Sequence, residues 1–170
     1  MAESARLAAL KWFCDYLEAE VNGTGDYEHD LADSVFRGRL TFGEDEPLPR
    51  VSLLEGLNAD REPVVAGTGS TNQTDRWIIL LQGQVKDDLL NPTDPAHALL
   101  ADVKAAIGRL RREMTQDYDA YRATPWSMIA DLAVEPGTVR PPDELSEKAF
   151  FWMRIVLKTV EEVDDPYWRP

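Results

Sequence analysis

A chain of 170 residues with 44% hydrophobic and 29% charged residues has the composition of one globular domain, residues 1–170. At this length roughly 70% of the surface exposed by the unfolded chain is buried on folding, so one core suffices. The 31 acidic residues outnumber 18 Lys and Arg, and the net charge of −13 argues against general nucleic-acid binding.

That acidity either keeps the chain soluble or forms a field with a purpose, and composition leaves both open. The one cysteine, Cys14, can form no internal disulfide and has no zinc set around it, so it reads as a small buried hydrophobe. No run reaches 18 apolar residues, so no membrane span is expected. Glu3 precedes any apolar run and no signal-peptide pattern follows, which points to the cytoplasm of the cell that makes the protein.

The first element is predicted as a helix with Ser4 as N-cap. Leu7, Leu10, Cys14, Leu17 and Val21 recur at spacings of three and four, Trp12, Phe13 and Tyr16 widen the stripe, and Gly23 and Gly25 end it. An acidic connector, Asp26 to Asp33, leads to an alternating strand from Val35 to Phe42. A second short strand is expected from Val51 to Glu55. Residues 57–75 read as a long polar loop, and long loops in compact domains usually carry function or are disordered. Trp77 to Val85 is apolar on both faces at first, which predicts a central strand.

Asp94 as N-cap and Pro95 at the first helical position open a second helix. Its apolar face runs from Ala96 through Leu99, Val103, Ile107 and Leu110 to Met114, with Arg109, Arg111 and Arg112 expected in its last turns. A strand from Met128 to Val134 should place Met128, Ala130, Leu132 and Val134 on one face. Ala149 to Val160 alternates over a length that crosses a whole sheet, and residues 164–170 form a short tail. The order α-β-β-β-α-β-β predicts an α+β fold, a mixed or antiparallel sheet of about five strands with two helices on one face.

Catalytic chemistry is hard to find. His29 sits in the acidic connector with no metal-ligand spacing and is expected to face solvent; His97, in the first turn of the second helix, is expected at the surface. There is no Gly-x-Ser-x-Gly elbow, and Gly67-Thr68-Gly69 lacks the Gly-Lys-Ser/Thr ending of a phosphate loop. The chain therefore reads as a non-enzyme, with no catalytic, metal-binding or cofactor-binding residue and no cofactor. Trp12, Trp77 and Trp152 occupy core-like positions, and Trp126 follows Pro125 in a connector. Trp168 lies in a tail too short for its own core, so it docks on its own domain or on a partner.

Four segments carry a resemblance: Arg50-Val-Ser-Leu-Leu-Glu55; Trp77-Ile-Ile-Leu-Leu-Gln-Gly-Gln-Val85; Asn91-Pro-Thr-Asp-Pro-Ala96; and Ala101-Asp-Val-Lys-Ala-Ala106. With the element order, they resemble tail terminator (tail completion) proteins of long-tailed bacteriophages, over most of the chain. The resemblance implies a structural virion protein of the tail and neck, made in the host cytoplasm. Such proteins form a ring, typically a homo-hexamer, on the head-proximal end of the tail tube, ending tube polymerisation and offering a head-tail joining surface. Implied partners are other copies of the chain, the tail tube protein, and a head-tail connector or stopper protein. DNA would pass through the ring without specific binding, and an acidic lumen would suit that passage.

A closed ring needs two different complementary faces on each subunit. The 57–75 loop and the tail are the candidate surfaces, through Gly67, Thr68, Gly69 and Asn72 and through Tyr167, Trp168 and Arg169. Three alternatives remain: another connector or neck protein of the virion, a non-viral cytoplasmic adaptor module, and an acid-base hydrolase, which would require a deep pocket with a perturbed carboxylate.

Overall fold

A computed structural model of the protein describes residues 3–43, 46–56, 64–65, 70–142 and 147–169, apart from the side chains of 64, 65 and 118. The fold is α+β. Two long helices, α1 (Ala5–Glu20) and α2 (Asp94–Gln116), cover one face of a mixed sheet. A short helix α3 (Tyr118–Arg122) and a 3-10 turn (Pro125–Met128) follow α2. No described helix is long and apolar enough to cross a membrane.

The sheet is built on two 15-residue strands, β5 (Asn72–Lys86) and β8 (Lys148–Glu162), paired antiparallel from Asn72 opposite Glu162 to Lys86 opposite Lys148. On one side β5 pairs with β3 (Arg50–Glu55), and β3 runs parallel to the edge strand β2 (Val35–Arg37). Two-residue β4 (Val64–Val65) continues that side along β5. On the other side β6 (Ile129–Val134) and β7 (Thr138–Arg140) lie along successive stretches of β8. A two-stranded sheet joins β1 (Glu3–Ser4) to β9 (Tyr167–Trp168).

Alternation decides the core. Trp77, Ile79 and Leu81 of β5 and Phe151, Met153, Ile155 and Leu157 of β8 point at the helices and are buried. They meet Phe13 and Leu17 of α1 and Leu99, Val103, Ile107 and Leu110 of α2. Gly83 belongs to the same face because the Phe151 ring occupies the space a side chain would take. Ser4 caps α1 by accepting from the Leu7 amide at 3.3 Å, as predicted.

Several boundaries differ from the sequence expectation. The first strand stops at Arg37, because Gly38 takes a positive φ of 65° and turns the chain; its amide still donates to Leu53 O. Phe42 is thereby carried to Arg50, whose guanidinium lies 4.2 Å from its ring centroid. The cap of α2 is Thr93, not Asp94. The helix runs on to Gln116, so Arg109, Arg111 and Arg112 lie one to two turns before its end, with no cation in the final turn. Arg109 instead reaches Glu20 at 2.5 Å and Asp26 at 3.7 Å.

The face expected for Met128 to Val134 is broken twice. Met128 closes the 3-10 turn, and a bulge between Ile129 and Asp131 buries Ile129 and Leu132 while exposing Ala130. Trp126 is no connector residue: it is fully buried, stacked on Phe13 at 4.9 Å and Trp12 at 5.6 Å. β5 begins at Asn72, inside the expected loop, because β8 is long enough to extend the ladder to that point.

Candidate functional site

The two ends of the described chain meet at one end of the sheet. Glu3 pairs with Trp168 and Ser4 with Tyr167, and the Ala5 amide donates to Pro166 O at 2.9 Å. Arg6, in the first turn of α1, donates to Asp75 at 2.9 Å and to Glu161, and its guanidinium lies 5.5 Å from the Trp77 ring centroid. Burial lowers the Arg6 pKa, but hydrogen bonds and charge from Glu161 and Asp75 outweigh it and raise the pKa. The cation thus ties α1 to the start of β5 and the end of β8.

Two grooves open at this end. A groove of about 370 Å³ lies among Arg6, Met128, Val160, Pro166 and Trp168. A second, of about 820 Å³, lies among Asn72, Met114, Tyr121, Met128, Val160 and Glu162. They share Ser127, Met128, Val160 and Glu162, so they form one continuous depression. The smaller groove is mainly apolar and the larger mixes apolar with polar and charged groups, which suits a protruding side chain or a short segment of a partner.

Of the predicted interface residues, Gly67, Thr68 and Gly69 lie outside the described residues. Asn72 is a strand residue, exposed, opposite Glu162 and on the larger groove. This corrects its expected place in a loop. Trp168 is half-buried on the smaller groove, so the tail packs on its own domain. Tyr167 is half exposed, and Arg169 reaches out from the tail, donating to Asp165 at 3.1 Å. The structure thus brings Asn72 and the tail to the same end of the sheet, joined through Val163, whose amide donates to Thr71 O at 2.9 Å.

His29 is not the exposed linker residue that its neighbours suggest. Its side chain is 10% exposed and that of Asp102, on α2, is 9% exposed. Asp102 Oδ2 accepts three hydrogen bonds: from His29 Nδ1 at 2.8 Å, the His29 amide at 3.0 Å and the Glu28 amide at 3.1 Å. Two of the three donors are backbone, which is the arrangement of a loop clamp. A signal for it was present in the sequence. Asp102 lies three residues after Leu99 and four before Ala106, on the buried stripe of α2, where an acid needs partners.

Cys14 is buried, and burial pushes its thiol up to about 12, so it is protonated and unreactive at neutral pH. His97 is exposed in the first turn of α2, as predicted. Among the described residues no group of three or more His, Cys, Asp or Glu could hold a metal ion. The chain matches no protein-family model, and no curated protein is significantly similar to it.

Proposed function

We propose that the chain is a structural virion protein that forms a ring on the head-proximal end of a phage tail tube, ends tube growth and offers the surface to which the head joins. Its partners are further copies of itself, the tail tube protein and a head-tail connector or stopper. Duplex DNA passes through the ring, kept from sticking by a chain of net charge −13. The four resembling segments and the helix-strand order support this reading. The observation that carries it furthest is the depression at the sheet end, where Asn72 and Trp168 stand beside an apolar floor formed by Met128 and Val160. A cap on a polymer end needs a pre-formed surface of that kind, held rigidly enough to bind without a large ordering cost.

The residues assign themselves to binding rather than reaction. His29 is committed to a loop clamp, and Cys14 is held as a thiol within the core. The test is direct. Purified protein is mixed with preformed tail tubes and imaged by negative-stain electron microscopy. One end of each tube should carry a ring, and Trp168→Ala with Met128→Asp should lower end occupancy at least tenfold while the circular-dichroism spectrum is unchanged. Bare tube ends at saturating wild-type protein would contradict the reading.

A further inference from the structure

The face of β5 and β8 turned away from α1 and α2 has a half-buried apolar strip of Ile78, Leu80, Trp152 and Val156. Around that strip stand Arg76, Lys86, Arg140, Lys148, Arg154 and Lys158. The acids beside these cations are Asp131, Glu162 and Glu135, the last paired with Arg154 at 2.6 Å. Cations are therefore concentrated on one face of a chain whose acids outnumber its bases 31 to 18. Arg76 lies directly opposite Lys158, and Lys86 directly opposite Lys148. Asp131 lies opposite Lys158 on its other side and offsets part of that charge. An apolar centre with a charged rim has the anatomy of an interface.

The complement lies on the same chain. Residues 12–36 contain no Lys or Arg, and Asp26, Glu28, Asp30 and Asp33 are exposed there. This connector is not loose. Asp102 holds Glu28 and His29, the Leu31 amide donates to Val21 O at 2.8 Å, Asn22 bridges Asp30, and Tyr27 and Leu31 are buried. A pre-shaped acidic surface gives up little freedom on binding. It is anchored to α2, on the helical side, so one molecule cannot bring it to its own cationic sheet face.

We infer that the cationic sheet face of one copy binds the acidic connector of the next, a head-to-tail contact between unlike surfaces. Such a contact repeats, and closes into a ring where the rotation allows. The ring reading supplies only the closure; the pairing rests on the charge segregation itself. Because charge carries the recognition, association weakens as salt rises.

Two charge-reversed variants test it: Arg140→Glu with Lys158→Glu on the sheet, and Asp26→Lys with Glu28→Lys on the connector. Sedimentation velocity at low salt and up to millimolar protein should show the wild type self-associating and each variant at least tenfold weaker. Circular dichroism verifies that both variants are folded. Mixing them should restore association at 1:1 stoichiometry, since each then meets the opposite charge on both sides. A wild type monomeric throughout that range, variants that associate like the wild type, or a mixture that stays monomeric would each overturn the inference. Tube-end binding is read separately. A protein that caps tubes although its charge variants still associate refutes this contact and leaves the ring reading standing. One that associates as described but never binds tubes does the reverse.

Discussion

Replacing Asp102 by Ala removes the acceptor of three hydrogen bonds, from His29 Nδ1 and from the amides of Glu28 and His29. A hydrogen bond to a charged group contributes about 1.5–3 kcal/mol, so three set an upper bound of roughly 5–9 kcal/mol. Water recovers much of that, because Glu28 is exposed and the freed connector can hydrate its amides. The clamp side chains are only 9% and 10% exposed, however, so water reaches them poorly and a loss of about 3 kcal/mol remains. We expect about 3 kcal/mol for Asp102→Ala. Asp102→Asn keeps one carbonyl oxygen, which can hold at most two of the three donors, so about half that loss is expected. Urea denaturation gives the stability, and native-state hydrogen exchange of the Glu28 and His29 amides gives the local effect. Since a domain of this size is stable by about 5–15 kcal/mol, the Ala variant should remain folded with a freely exchanging connector. A loss below about 1 kcal/mol with unchanged exchange at Glu28 and His29 would refute the clamp.

At Gly83 an added Cβ would sit 1.9 Å from Phe151 Cε1, and Phe151 is fully buried, so Gly83→Ala should cost about 3 kcal/mol or more in urea denaturation. Adding Phe151→Ala to Gly83→Ala should cost less than the sum of the two single changes, since the clash vanishes with the ring. Trp126→Ala empties a fully buried site against Trp12 and Phe13 and should cost about 3–5 kcal/mol. The Cys14 thiol should resist iodoacetamide at pH 8 in the folded protein and react once urea unfolds it. The same thiol is raised in the fold from its ordinary value of 9.0 to about 12, so its stabilising contribution is complete below pH 9 and is lost as pH rises to 12. Urea midpoints from pH 8 to 11 should fall more steeply for the wild type than for Cys14→Ala.

Periodicity made much of this fold legible. Apart from Leu7, which opens the α1 stripe but is 42% exposed, the stripes of α1 and α2 and the alternation of β8 identify residues that form the core or pack against it, because helical and strand periods dictate which side chains share a face. What escaped depends on contacts distant in sequence. Trp126 looked like a connector residue after Pro125, yet α1 supplies Phe13 and Trp12 to stack on it from more than a hundred residues away. Gly38 ends β2 by adopting a left-handed conformation that an alternation pattern does not register. Of the candidate interface residues, Tyr167, Trp168 and Arg169 are suggested by their position in a proline-bounded tail. Their meeting with Asn72 was not legible, since it depends on β5 and β8 pairing over their whole length. The cationic sheet face was hidden for the same reason: its charges come from three separate strands and converge only once the register is known.

The proposal that this chain ends tube growth is tested most directly by deleting its coding sequence from the phage that carries it and measuring tail lengths by electron microscopy. Loss of a tube-ending ring predicts tails of unregulated, excessive length with no heads attached. Tails of normal length beside heads that leak DNA would contradict it and would place the protein on the head side of the joint.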